Sequence, residues 1–567
     1  MLSPGLIRDF PRLREAWRKG TAKRWRVLSI AGLIFVLLLA WLPAFVTLPP
    51  LDRDESRFAE ASRQMVETGN YIDIRFASGP RYNKPIGIYW LQSLAATIAG
   101  PDFRASIQIY RIPSLVGGLL SAILLWLCAR GLASRETALV STLFLGTTFL
   151  LTAESVIATT DSCLLATVIA AQSVLLRIYL AARRKLPAPR TGVVMAGWVA
   201  IAIGVLLKGP VILAVLAATI AALSISDRDV TWLKETKAVR GSALALALVL
   251  PWAVAIAFAS HGAFYEQSLG QDFAAKLIEG RESHGAPPGY YLVETIIAFW
   301  PATLALIPAL AWAIARRHEP LMRFLLAWSG GVWVLFELTP TKLPHYVLPA
   351  YPALALLCGF WVVQASGENK GKFSKAFRVV SVVLFVLGAA AAAATCLFGP
   401  LRLGGSLGAP LLAGASAASI VACAAVFSLL RKRTLRAAGF AVASAVAFDL
   451  VLGLGVVPQL HDLWLSPRAA RLVADNQRGA DTPPVVTGYV EPSLVFLLGP
   501  GTRIAPARSA ASGAGLALVE SRALPDFLAG ADASGLAAKP LRSVRGLDYS
   551  IGRKEMITLY RLMPAGR

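Results

Sequence analysis

The chain has 567 residues, of which 56% are hydrophobic and only 16% charged, with a mean hydropathy of +0.60. Soluble domains carry roughly 25% charged residues, so the composition argues against a soluble enzyme. The formal net charge is +23, from 56 Lys+Arg against 33 Asp+Glu. Such a surplus marks either a nucleic-acid partner or a membrane topology, and its placement along the chain decides which.

A bilayer crossing needs ~20 apolar residues. Thirteen runs are candidates: 27–47, 108–128, 137–153, 161–182, 191–208, 210–225, 241–259, 290–315, 321–338, 346–364, 379–398, 408–430 and 437–457. The first follows a basic segment and runs into Leu48-Pro49-Pro50, not a small-residue cleavage site, so it reads as a retained helix. With residues 1–26 cytoplasmic, every second loop is basic, including Arg183-Arg184-Lys185, Arg316-Arg317 and Arg431-Lys432-Arg433. The seven inferred cytoplasmic segments hold 28 Lys/Arg and 8 Asp/Glu, which accounts for nearly the whole surplus. The basic charge is therefore a topology signal, and no nucleic-acid partner is expected. Two long loops, 48–107 and 260–289, fall on the external side. The five cysteines, Cys128, Cys163, Cys358, Cys396 and Cys423, lie in apolar runs without a CxxC and read as packing residues.

Residues 458–567 are more polar and contain no span. Pro484–Tyr489 and Met556–Leu562 read as strands and Ala517–Leu528 as a helix. The expected architecture is an all-α polytopic membrane protein of about 13 transmembrane helices, spanning 27–457, with a small external α/β domain at 458–567.

The first external loop is the most informative. Asp54 to Thr68 carries Phe58, Ala61 and Met65 at helical spacing, with Asp54 as N-cap, Glu55 and Arg57 in the first turn, and Gly69-Asn70 as the stop. This predicts an amphipathic helix at the membrane surface. The two acids either cap that helix or face a site. Next, Lys84-Pro85 places a lysine where the chain re-enters apolar surroundings, followed by Tyr89-Trp90 at the interface. Asp161 opens the fourth span on the same side as Asp54: it caps that span, or both acids flank one external cavity. Lys208-Gly209-Pro210 separates two spans there, its lysine either snorkelling or contributing to the cavity. Residues 339–352 hold four prolines between Pro340 and Pro352 and predict a rigid, non-helical turn presenting Lys342 and Tyr346. A lysine and a phenol there, beside Lys84, suit a phosphate at the lipid–water boundary. Loop 260–289 carries Lys276 and His284 and reads as a solvated loop or a cover over the site.

Taken in order, Asp54-Glu55-Ser56-Arg57-Phe58-Ala59-Glu60, Asn83-Lys84-Pro85 with Tyr89-Trp90, Thr160-Asp161, Lys208-Gly209-Pro210 and Lys342-Leu343-Pro344-His345-Tyr346 resemble glycosyltransferase family 39. That family includes the protein O-mannosyltransferases and the bacterial aminoarabinose transferases, and has the GT-C fold. The resemblance covers roughly residues 27–457. It implies a sugar donor linked to a polyprenyl phosphate such as undecaprenyl phosphate, and transfer on the extracytoplasmic face of the cell inner membrane. It further implies an envelope acceptor such as lipid A or lipopolysaccharide, with a protein acceptor as the alternative. Carried over by motif, Asp54 and Asp161 are the active-site acids, and Lys84, Lys342 and Tyr346 hold the donor phosphate. Glu55, Arg57, Lys208, Lys276 and His284 support them. Enterobacterial aminoarabinose transferases commonly carry a glutamate where Asn83 stands, so the donor class follows more directly than the sugar.

The residue chemistry agrees. Phosphate is a good leaving group, so the reaction needs stabilisation of negative charge on the departing lipid phosphate more than a general acid. A carboxylate orients the acceptor, or takes its proton if it is a hydroxyl. Inverting displacement is the family expectation. No cofactor is predicted, and a divalent cation between Asp54 or Asp161 and the phosphate is left open. A secondary transporter or flippase is the rival from another class. It would place charges near the midplane and show repeated halves, whereas here the charges cluster at one face and no repeat is evident.

Overall fold

Within hydrocarbon, backbone N–H and C=O groups must be satisfied inside the chain itself, and the apolar runs accordingly fold as helices. The computed structural model describes residues 11–77, 79–183, 185–268, 270, 286–364, 372–477, 483–499 and 501–565, without side chains at 11–26 and 372–374. Among the described residues, ten helices are long and apolar enough to cross a membrane. One bent pair makes an eleventh, and the predicted spans 210–225 and 290–315 correspond to the shorter apolar helices Val211–Asp227 and Thr303–Ala315. The chain is a multi-pass membrane protein.

The elements that carry the site come early in the chain. They are α1 (Pro11–Thr47), α2 (Asp54–Thr68), the hairpin β1 (Arg75–Phe76) and β2 (Gly79–Pro80), α3 (Gly87–Ala99), and α4 (Ile107–Arg130). There follow α5 (Arg135–Gly146), α6 (Phe149–Val156), α7 (Asp161–Ala182) and α8 (Thr191–Lys208). The span expected at 137–153 is broken: α5 and α6 meet at 62°. The break falls at Gly146-Thr147-Thr148, where Thr148 starts the second helix by accepting from the Leu151 N–H. Residues 344–352 are helical rather than the expected non-helical turn. Pro344–Ala350 is a 3-10 helix that passes directly into Tyr351–Gln364; Pro344 and Pro352 sit in first turns, where a proline removes no needed hydrogen bond, and Pro349 lies within the 3-10 segment.

The polar C-terminal region forms a five-stranded sheet from β3 (Val485–Thr487), β4 (Arg503–Ile504), β5 (Gly515–Glu520), β6 (Leu536–Asp548) and β7 (Arg553–Pro564). The order is β4-β3-β5-β7-β6, with β3 parallel to both neighbours and the remaining pairs antiparallel. Residues 517–520 are therefore strand, and helix begins only at Leu524. The expected helix over Ala517–Leu528 is thus half wrong. Its Leu/Ala content favours helix locally, but β5 is paired on both sides and the sheet overrides it. Alternation along β5 feeds two cores: Leu516 and Leu518 pack with Leu465 and Leu559, while Ala517 and Val519 pack with Phe527 and Tyr560.

Candidate active site

The site begins with one buried ion pair. Glu55 and Arg111 are 2% and 0% exposed and bond twice, at 2.7 and 2.9 Å. The same guanidinium donates to the carbonyls of Phe45, Leu48 and Pro49, where the chain leaves α1. Glu55 also accepts from the N–H groups of Leu51 and Ala158. Three segments are thereby locked to the start of α2. Glu55 is a structural clamp and has no capacity left for a ligand. Removing one partner of such a pair costs about 3–5 kcal/mol.

Asp54 is not the N-cap of α2. Arg53 occupies that position at φ 62°, and Asp54 is the first helical residue. Its carboxylate is 68% exposed and lies 3.3 Å from Arg81, itself buried against the Phe58 ring. Though open to solvent, the carboxyl is set within the mass of the protein. Burial pushes its pKa up, but the charges of Arg81, Lys84 and Arg57 outweigh that and hold it below the usual carboxylate value. Around Arg57, burial and the neighbouring Arg81 pull the guanidinium pKa down.

Alongside lies a cavity of about 310 Å³. Its polar lining includes Asn83, Lys84, Asp161, Lys208, His345 and Tyr346, and its apolar wall includes Leu206, Leu213, Val249 and Phe336. Asp54 does not line it, but its charge acts on Lys84 and His345, which do. Asp161 opens α7 and bonds Lys208, the last residue of α8, at 2.5 Å. Lys208 also sits 5.5 Å above the Tyr346 ring. Gly209 follows at φ 64°, a conformation that glycine adopts without steric cost, and the chain turns there so that α8 ends on the cavity.

The expected phosphate ligands separate. Lys84 and Tyr346 line the cavity; Lys342 does not. The Lys342 ammonium donates to the carbonyls of Glu337 at 2.6 Å, Thr339 at 2.9 Å and Phe336 at 3.4 Å. It caps the end of helix Pro320–Leu338, where carbonyls lack intrahelical partners, instead of facing the donor site. Lys276 and His284 lie outside the described residues.

Sequence reasoning missed Arg81, Glu154 and His345 as site residues. His345 Nδ1 lies 3.7 Å from buried Glu154, which also accepts from the Thr159 hydroxyl at 2.7 Å. Glu154 stands alone in an apolar run and Arg111 in a predicted span; an isolated charge in such a segment was the available signal. Among the described residues, no group of three or more His, Cys, Asp or Glu side chains could hold a metal ion.

The architecture is that of the GT-C membrane transferases. It matches ArnT of Cupriavidus metallidurans with a TM-score of 0.70, both in the apo state and bound to undecaprenyl phosphate, at 18% and 17% identity, covering 95% of this chain and 98% of that one. The family model for dolichyl-phosphate-mannose-protein mannosyltransferases matches residues 83–254. An undecaprenyl phosphate-α-4-amino-4-deoxy-L-arabinose arabinosyl transferase of Edwardsiella ictaluri is 28% identical over 378 residues, 65% of either chain. That of Erwinia tasmaniensis is 29% identical over 377 residues, 64% of this chain. The matched region spans about 65% of the length of these relatives. The chain is thus similar in sequence to these arabinosyl transferases and shares the GT-C fold of the Cupriavidus metallidurans protein.

Proposed function

We propose that this protein transfers a sugar from a polyprenyl-phosphate donor to an envelope acceptor such as lipid A, on the extracytoplasmic face of the inner membrane. The observation that carries the reading is the cavity that joins Lys84, Asp161, Lys208 and Tyr346 to an aliphatic wall within the helical bundle. A polyprenyl phosphate has the same two-part chemistry, an anion on an isoprenoid tail. The relatives' names supply the sugar class, 4-amino-4-deoxy-arabinose, and the lipid carrier.

In this reaction the bond between the anomeric carbon and the phosphate oxygen breaks, and the electron pair leaves on the polyprenyl phosphate. Lys84 is placed to receive that charge, with Arg57 and Arg81 adding positive potential nearby. The new bond joins the anomeric carbon to the acceptor oxygen on the opposite face, inverting its configuration. A phosphate acceptor brings no proton to remove. A hydroxyl acceptor gives its proton to a carboxylate, for which Asp54 is exposed and ionised. Asp161, neutralised by Lys208, orients the sugar and tempers positive charge on its ring.

The test is transfer of labelled sugar from undecaprenyl phosphate in membranes carrying Asp54→Asn. A fall of about 100-fold or more is expected; undiminished transfer removes Asp54 from the mechanism. Mass spectrometry of envelope glycolipids from a deletion strain identifies the acceptor, and a change in solute uptake alone would favour a transporter.

A further inference from the structure

The amphipathic pattern of α2 predicts a helix lying on the membrane with one face wet. Instead both faces are covered: Phe58, Ala61 and Met65 on one, and Ser56, Glu60 and Arg63 on the other. Part of the cover over the second face comes from the C-terminal domain. Its helix Pro492–Leu498 inserts Phe496, fully buried, among Ala59, Ala96 and Tyr110. Arg63 donates to the Phe496 carbonyl at 3.0 Å and lies 4.9 Å over its ring.

The same domain grips the two residues before Asp54. The Asp52 N–H donates to the Tyr549 hydroxyl at 2.7 Å. Buried Ser493 donates its hydroxyl to the Asp52 carboxylate; Ser466 lies 2.6 Å behind it, and Tyr489 a further 2.8 Å back. The Arg53 guanidinium donates to the Ser550 carbonyl. Arg53 meanwhile holds φ 62°, a left-handed conformation that a side-chain-bearing residue keeps only when its surroundings impose it. The turn at Arg53 sets the direction in which Asp54 leaves the loop. On the membrane side, Glu55 and Ser56 anchor that turn to Leu51. On the other side, the anchors are Ser493, Tyr549 and Ser550.

We propose that the C-terminal domain is a positioning element for Asp54, acting through Ser493 and Tyr549 on the Asp52-Arg53 turn. The inference rests on the reading above in one respect, that Asp54 takes part in transfer. Neither Ser493 nor Tyr549 lines the cavity, so their effect passes through α2. Small displacements of a reacting group change rates strongly, by as much as ~100-fold for about 1 Å.

The experiment measures transfer kinetics and amide exchange of purified, full-length protein in detergent with undecaprenyl-phosphate-linked sugar. Ser493→Ala is expected to lower kcat about tenfold, leave KM for the donor within about twofold, and speed exchange at the first turn of α2 but not in α3. Ser493→Thr keeps the hydroxyl and is expected to restore kcat. Wild-type kcat together with wild-type exchange in Ser493→Ala overturns the proposal. So does a loss of kcat that Ser493→Thr does not restore although it restores the exchange pattern. If Ser493→Ala reduces the yield of folded protein, Tyr549→Phe decides in the same assay with the same expectations. Asp54→Asn run in parallel separates the two claims. Full activity in Asp54→Asn defeats the catalytic reading, and the exchange pattern still decides whether the domain positions α2.

Discussion

Two lysine–proline segments in this chain read alike and end differently. Lys84-Pro85 and Lys342-Leu343-Pro344 both place a cation where the backbone returns to apolar surroundings. Lys84 lines the cavity, whereas Lys342 is surrounded by the carbonyls that end helix Pro320–Leu338. The difference lies in what precedes each lysine. Before Lys84 runs a hairpin whose backbone groups pair with one another. Before Lys342, only three residues separate the lysine from the helix end, and the carbonyls there that lack intrahelical partners compete for its ammonium. Motif position thus places a charge near a membrane face, and the nearest unsatisfied backbone draws Lys342 away from the cavity that Lys84 lines.

The comparison can be broken most directly at Lys84. Lys84→Ala is expected to reduce transfer by about 100- to 1,000-fold, as loss of a transition-state donor does, with little change in melting temperature. Lys208→Met comes next: it leaves Asp161 buried without its partner, and about a 100-fold loss of transfer is expected, with some loss of folded yield. Lys342→Met should act the other way round. Losing its charge-assisted bonds costs about 2–3 kcal/mol of stability, read by chemical denaturation in detergent, while transfer per folded molecule stays within about threefold. If Lys342→Met instead matched Lys84→Ala in a fully folded protein, the two lysines would share the donor site.

The smallest expected effect concerns pH and sharpens the contrast between Asp54 and the acids behind it. Asp54 is held below the usual carboxylate value, so it stays ionised at pH 5–8 and imposes no break on transfer in that window. Asp52 and Glu491 are raised by burial to about 6 and about 7, with Asp548 also raised beside them and Arg53 partly offsetting. Groups whose folded pKa is raised stabilise the folded form below their unfolded value and lose that contribution as pH rises through the folded pKa. Docking of the C-terminal domain should therefore loosen between pH 5 and 8. The check is amide exchange in Pro492–Leu498, corrected for intrinsic rates, with an increase of roughly tenfold expected across that range.

Much of this was legible in the sequence. The bounds of α2, Asp54 to Thr68, follow from Phe58, Ala61 and Met65 and from Gly69, which caps the helix at φ 70°. Asp161 and Lys208 stand out singly as residues at span ends, but not as a pair, because 47 positions separate them. The bend between α5 and α6 is hidden because Gly146-Thr147-Thr148 interrupts hydropathy only slightly. The way Glu55 supports the site is hidden for a different reason: its partner Arg111 lies inside a run read as span, and local pattern carries no information on such a distant contact. The burial of the polar face of α2 depends on Phe496, over 400 residues away in the chain.

Asp54 and Asp161 each occupy the first position of a helix, and Lys208 the last. Aligned peptide dipoles give a helix roughly half a positive charge at its start and half a negative charge at its end. Each carboxylate is thus partly countered by the backbone behind it, and the lysine likewise. The field that the incoming donor phosphodiester meets is gentler than two bare acids would create. An enzyme of this design can keep two carboxylates beside the binding place of a phosphate without repelling it, and the compensation comes from rigid backbone that needs no reorganisation when the sugar moves.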